Sequence, residues 1–229
     1  MGDIHGAAMA LLQCLDRADF DPSNDTLIQL GDVCDGWSET PECIIILKHL
    51  KNVIQIKGNH DHWMDEWMEF GRAPLVWTEQ GGQATIDGYV KGRPDLIPKH
   101  RDYWKNSKVY HIDEKNRMYC HGGFLRRVKL EAQRDDMFMW DRSLAGKCVA
   151  GATSGFKVDE FEHVYLGHTT VNSFSEKRVP RNKPFTGGNV TLMDTGAGWE
   201  GVLTIMDVDT GEYWQSDIVK EIYHNEKGR

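Results

Sequence analysis

Gly31-Asp32-Val33-Cys34-Asp35-Gly36 follows Thr26-Leu27-Ile28-Gln29-Leu30, a run that reads as a short buried strand. Asp32 therefore belongs at a strand's C-terminal end, where open α/β sheets place their ligands. Four further blocks repeat the arrangement: Gly2-Asp3-Ile4-His5-Gly6, Gly58-Asn59-His60-Asp61, Cys120-His121-Gly122-Gly123 and Leu166-Gly167-His168-Thr169. Each puts a carboxylate, amide or imidazole beside a glycine that lets the backbone turn tightly. Oxygen and imidazole donors converging at strand ends suit divalent cations of intermediate hardness.

The chain between these blocks reads as α/β. Ala8, Leu11, Leu12 and Leu15 keep helical spacing. Thr40 is the expected N-cap of a second helix, with Pro41 at its first position and Cys43, Ile46, Leu47 and Leu50 as the buried stripe. Val53–Ile56 is the next strand and delivers Asn59 and His60. This strand-helix-strand unit implies a parallel pair and a right-handed crossover. Residues 61–70 read as helix, with Trp63/Trp67 and Met64/Met68 assigned to packing. Residues 71–115 read as helical excursions, 124–160 as a polar insertion in which Asp135-Asp136 is a solvated turn, and 170–189 as loop. Strands are expected at Arg117–Cys120 and His163–Leu166. From Val190 the pattern becomes a run of antiparallel strands, Val190–Met193, Gly201–Val208 and Glu212–Gln215, with Asp209-Thr210-Gly211 as a hairpin turn. The expected fold is two packed mixed β-sheets flanked by helices, in one domain over residues 1–229. No strand precedes Asp3 and His5, so the first strand is missing from this reading and Met1 is expected to be an internal residue of a longer chain.

The bulk properties narrow the partners. The chain has 229 residues and a formal net charge of −8, which argues against a broad nucleic-acid footprint. No apolar run approaches the length needed to span a bilayer, and no secretory signal precedes the first block. The five cysteines show neither CxxC nor framework spacing, so free buried thiols in a reducing, cytoplasmic compartment are expected.

Asp3 and His5, two apart, point the same way in an extended segment. With Asp32 they can hold one metal, while Asp32, Asn59, His121 and His168 hold a second, Asp32 bridging. Two cations about 3.5–4 Å apart polarise phosphoryl oxygens and turn a shared water into hydroxide at neutral pH. His60 is the candidate general acid, with Asp35 fixing its tautomer. Arg142 is a candidate phosphate clamp, and Asn59 a second candidate substrate contact.

The ordered set Gly-Asp-x-His-Gly, Gly-Asp-x-x-Asp-Gly, Gly-Asn-His-Asp, His-Gly-Gly and Gly-His-Thr resembles the calcineurin-like metallophosphoesterases, and within them the serine/threonine phosphatases of the phage lambda type. Softer matches are Trp77…Gly81-Gly82, Trp140-Asp141-Arg142 and Asp194-Thr195-Gly196. The resemblance implies an α/β/β/α sandwich, the ligand set above, Asp35 orienting His60 as acid, and Arg142 on phosphate. It also implies two divalent ions, manganese being usual in similar enzymes and iron or zinc known in others. The expected activity is hydrolysis of phosphomonoesters on protein or small molecules, by a metal-bridging hydroxide with His60 as acid. The alternatives are hydrolysis of a dinucleoside polyphosphate or phosphodiester, or a binding module that keeps the fold. One departure stands out: the family's second motif continues with an arginine after the aspartate, where this chain has Gly36 and Trp37. Arg126, Arg127 and Lys57 are the candidates to replace it.

Overall fold

The computed structural model describes residues 1–229. Strands β1 (Leu27–Gln29) and β2 (Val53–Gln55) pair in parallel, connected by helix α2 (Thr40–His49). Helices α1 (Ala8–Arg17) and α3 (Asn59–Phe70) complete this half. A five-stranded mixed sheet forms the other half: β3 (Tyr110–Ile112), β4 (Arg117–Cys120), β5 (His163–Leu166), β7 (Val190–Leu192) and β6 (Phe185–Gly187), in that spatial order. Strands β4, β5 and β7 run parallel, with β3 and β6 antiparallel at the edges. A closing hairpin pairs β8 (Thr204–Met206) with β9 (Tyr213–Gln215).

Two main cores hold these layers. One packs α1, α2 and α3 with Trp37, Trp77, Leu203 and Ile205. The other packs the five-stranded sheet against helices Asp135–Trp140 and Ser143–Gly151 through Phe138, Leu144 and Cys148. A smaller cluster of Leu30, Ile56, Tyr119, Tyr165 and Met193 lies between the sheets, where Tyr119 stacks on Tyr165 at 5.1 Å.

The expected sandwich of mixed sheets is present, but several expectations change. Residues 124–160 are not a polar insertion: their two helices cover one face of the main sheet, and Asp135-Asp136 opens the first of them. Hydrophobic residues at Phe138, Leu144 and Cys148 are diluted in sequence by the polar faces between them. The segment 170–189 contains β6, whose three residues are too few for an alternation to register. Strand β7 joins β5 in parallel rather than opening an antiparallel run, and only Thr204–Met206 of 201–208 is strand. Thr40 is the first residue of α2, not its N-cap, because its hydroxyl faces Thr85 Oγ1 at 3.1 Å.

The chain's first residues are ordered by the sheets. Met1 lies beside β1: its ammonium donates to Ile28 O at 2.8 Å, and Leu30 N donates to Met1 O at 3.1 Å. Gly2 N donates to Thr204 O of β8 at 3.0 Å. One rung of backbone thus bridges β1 and β8. An apolar groove of about 370 Å³ lined by Leu27, Ile28, Ile205 and Trp214 continues beside Met1.

Candidate active site

The five glycine-flanked blocks meet at one place. Each leaves a strand end or bridges strands, and close backbone contacts lock the loops together. Ile4 N and His5 N both donate to Asp32 O, at 3.0 and 2.9 Å, and Gly6 N donates to Val33 O at 2.8 Å. Asp3 and His5 are therefore held by the Asp32–Val33 loop, although no full strand precedes them. Gly58 must lack a side chain, because a Cβ there would lie 2.1 Å from Asp32 Oδ1. Asp61, the third residue of α3, reaches back to accept from Gly58 N at 2.9 Å, Asp32 N at 2.8 Å and Val33 N at 2.8 Å. It ties two loops to one helix N-terminus.

His5, Asp32, Asp35 and His168 all have positive φ, at 54°, 54°, 75° and 64°. Such backbone is costly for non-glycine residues and persists only where the surroundings impose it.

Two donor groups result. Asp3, His5 and Asp32 form one; Asp32, His121 and His168 form the other; in each, the candidate ligand atoms lie within 4.8 Å of one another. Asp32 belongs to both. Asn59 joins the second group, its Oδ1 3.1 Å from His121 Nε2, and His121 Nε2 lies 3.2 Å from Asp32 Oδ2. All six side chains are buried. Backbone carbonyls orient the imidazoles: Nδ1 of His5 faces Cys34 O at 3.1 Å, and Nδ1 of His121 faces Leu30 O at 2.8 Å. With Nδ1–H donating there, each Nε2 lone pair turns inward, as in metal-ligating histidines. Asp3 Oδ2 accepts from His168 N at 2.9 Å, while its Oδ1 is buried with no partner. A buried carboxylate oxygen lacking any donor is costly, and a cation between these groups would satisfy it. The donor set therefore fits two divalent ions.

The electrostatics agree. Burial and the Asp194 carboxylate push Asp3 well above the usual carboxylate range. Burial also acts against ionised Asp32, yet His121, His60 and His5 hold it well below that range. Burial opposes the charged form of His121 too, but Asp32 and Asp3 raise it to about 9. Burial, then His121 and Arg142, drive His168 down to about 2. So many buried like charges in one place is an arrangement that an added cation relieves.

Beside the donor groups lies a histidine–aspartate pair. His60 Nδ1 is 2.6 Å from Asp35 Oδ2, and both side chains are buried. Asp35 is held from two further sides: Trp77 Nε1–H donates to Oδ2 at 2.6 Å, and Thr85 Oγ1–H donates to Oδ1 at 2.8 Å. His60 Nε2 has no protein partner. Asp32 Oδ1 accepts from His60 N at 3.0 Å, which couples the pair to the donor groups. Trp63 meets the His60 ring edge-on at 5.2 Å and Trp140 at 5.0 Å. Trp63 thus packs against the site itself as well as the core.

Arg142 is half-buried and donates through Nη1 to His168 O at 2.8 Å and Thr169 Oγ1 at 3.3 Å. Every expected site residue is thus gathered at one place. The expected substitutes for the missing arginine are not. Arg126 pairs with Asp159 at 3.8 Å, Lys57 with Asp65 at 2.5 Å, and Arg127 donates its backbone N–H to Glu160 at 2.7 Å. Sequence reading missed Arg229, whose Nη1 lies 3.2 Å from His5 Nε2. It also missed Thr85 as a partner of Asp35. Neither lies in a block whose spacing marks it. Trp77 was marked only as part of the Trp77…Gly81-Gly82 match in the family resemblance.

Comparison with known proteins follows the same lines. The family model described as calcineurin-like phosphoesterase matches residues 1–172. The symmetrical bis(5'-nucleosyl)-tetraphosphatase of Stutzerimonas stutzeri is 24% identical, over 93% of this chain and 94% of that one. Serine/threonine-protein phosphatase 1 of Salmonella typhimurium is 25% identical, over 90% and 88%. A crystal structure assigned to a diadenosine tetraphosphatase superposes with a TM-score of 0.66 at 17% identity, covering 93% of this chain and 90% of that one.

Proposed function

The chain belongs to the calcineurin-like phosphoesterase family and is a metal-dependent hydrolase of phosphoric esters, and from that premise we propose that it is a phosphomonoesterase, of the serine/threonine phosphatase kind, acting as one domain over residues 1–229. Asp3, His5 and Asp32 would hold one ion, and Asp32, Asn59, His121 and His168 the other. Manganese is the proposed metal, since mixed carboxylate, amide and imidazole donors suit an ion of intermediate hardness. Such a pair supplies Lewis-acid charge to phosphoryl oxygens and makes a water nucleophilic at neutral pH.

The observation that carries the choice of substrate is the His60–Asp35 pair. An alkoxide is a poor leaving group and must be protonated as the P–O bond breaks, whereas a nucleoside polyphosphate leaves as a weak base and needs little help. A buried imidazole with Nδ1 fixed on a carboxylate and Nε2 free of protein partners is placed to donate that proton. Asn59 and Arg142 would orient the phosphoryl group from the His121–His168 side. Arg142 offers a planar fork suited to phosphate oxygens.

A second reading has its own support. Trp140 and Trp199, 40% and 36% exposed, flank the site beside His168 and His5. Base–indole stacking is worth about 1–3 kcal/mol per base, so this pair suits a dinucleoside polyphosphate, the substrate class named for the Stutzerimonas stutzeri relative. A panel of phosphoserine peptide, p-nitrophenyl phosphate, bis-p-nitrophenyl phosphate and diadenosine tetraphosphate, with manganese, separates the two. Higher kcat/KM on the monoesters is expected. A diadenosine tetraphosphate value at least tenfold above every monoester would replace this reading with the second.

A further inference from the structure

We propose that Arg229 is a substrate-binding residue that supplies, from the far end of the chain, the phosphate-gripping guanidinium that the second motif lacks at Gly36. The proposal rests on the phosphoesterase reading of the site and adds a residue to it.

Three independent observations place Arg229 there. First, its stem lies in a cradle of glycines. A Cβ at Gly36 would sit 3.2 Å from Arg229 Cγ, one at Gly81 2.9 Å from the same atom, and one at Gly198 3.0 Å from Arg229 Cδ. Side chains at these positions would crowd the arginine, so the loop after Asp35 is shaped around it. Second, the guanidinium is stacked and aimed. Its carbon lies 4.4 Å from the Trp199 ring centre, and Nη1 reaches His5 Nε2. It has no carboxylate within salt-bridge distance, and its Nε is buried without a partner. A cation at a site so rich in carboxylates, yet paired with none, is available to an incoming anion. Third, the segment carrying it is strapped down. Arg229 N donates to Gly198 O at 2.9 Å, and Glu226 accepts from Ser38 N and Ser38 Oγ at 2.9 Å each. Tyr223 stacks on Trp37 at 5.3 Å.

The two guanidiniums therefore stand at different donor groups, Arg142 beside His168 and Arg229 beside His5. A phosphoryl group spanning the shared Asp32 meets one at each end. His5 Nε2 has a single lone pair, so a cation there would release Nη1, while Trp199 and Gly198 keep their hold on the residue. The freed donors then face the anion. Arginine suits this task because its planar fork binds two phosphate oxygens at once.

The test uses the manganese-loaded protein and three variants: Arg229→Gln, Arg229→Lys and, as a control on the same segment, Lys227→Gln. Inorganic phosphate is titrated calorimetrically, metal content is measured by elemental analysis, and KM and kcat are taken on p-nitrophenyl phosphate. For Arg229→Gln, phosphate affinity should fall ten- to a hundredfold and KM should rise at least tenfold, with kcat changing less. Metal content should match the parent, Arg229→Lys should recover part of the loss, and Lys227→Gln should behave as the parent. Phosphate affinity of Arg229→Gln within twofold of the parent overturns the proposal. So does loss of bound metal in place of phosphate affinity, which would assign Arg229 to the His5 cation site. If the parent turns over no phosphomonoester, the substrate reading fails, while the phosphate titration still decides the role of Arg229.

Discussion

Asp61 and His60 are adjacent in the chain yet do opposite work. Asp61 is wholly buried and spends both oxygens on backbone N–H groups. Burial and the nearby Asp32 charge push it up to about 6, so its retention as a carboxylate depends on those donors. Asp61→Asn would turn an NH₂ group against at least one of the three N–H donors. The expected loss is about 2–3 kcal/mol in urea unfolding, with metal affinity weakened by roughly 10–100-fold because Asp32 loosens. An unchanged midpoint together with unchanged metal affinity would show that Asp61 is not the tie. His60, by contrast, keeps Nε2 free. His60→Ala should lower kcat by about 10²–10⁴ on an alkyl phosphate and much less on an activated aryl phosphate. Equal losses on the two would remove His60 from the general-acid role. The sequence placed both residues in one glycine-flanked block but offered a role only for His60. It left open which oxygen met which amide, because Asp32 and Asp61 are joined only when two loops touch.

At the scale of elements, short pieces decide much of the architecture. Strands β1 and β2 have three residues each; Leu27 and Val53 pack into the core with the helices, and Ile28 and Ile54 against the cluster between the sheets. The segment 75–106, a series of short helical turns, brings Trp77 and Thr85 to Asp35 and also buries His100. His100 Nδ1 lies 2.7 Å from Tyr89 OH. Burial, then Lys48, Arg93 and Lys99, lower its pKa from 6.5 to about 4. Between those values the unfolded chain binds a proton that the folded chain refuses. This residue's contribution is therefore constant above pH 6.5, falls as the pH drops toward 4, and levels off below. The loss is at most about 3 kcal/mol. His100→Gln keeps an acceptor for Tyr89 but cannot titrate. Its urea midpoint should fall less than the parent's between pH 7 and 4.5, and parallel losses in both proteins would discount His100.

Across the whole molecule, the two main cores lie on either side of the donor groups. The site is thus a seam between packed bodies, and it gathers Asp3, Asp32, Asp61 and Asp194, all buried. Bound cations should relieve their mutual repulsion and bridge the seam. Chelation is therefore expected to lower Tm by several degrees, and excess manganese to restore it, following the mass-action stabilisation of about 3–4 kcal/mol at 100–1,000 times Kd. The shift should vanish in Asp32→Asn. An identical Tm with chelator and with manganese would show that the ions are not held by these groups.

The sequence by itself determined the α/β order, the positions of the strands as far as Leu166 and the five glycine-flanked blocks that supply the candidate ligands. The reason is local: a buried strand shows its period within a few residues, and a donor beside a glycine shows where that strand stops. Even there, three-residue β6 and the helices within 124–160 escaped, because their apolar faces are short or diluted by polar neighbours. Only the tertiary structure decided what surrounds the ligands. Thr85 meets Asp35 across 50 residues of chain, and Arg229 reaches His5 across 224. Such contacts leave no periodic trace, since they arise where separately ordered surfaces happen to be packed together, and the space for Arg229 exists only because three glycines from distant loops converge around it.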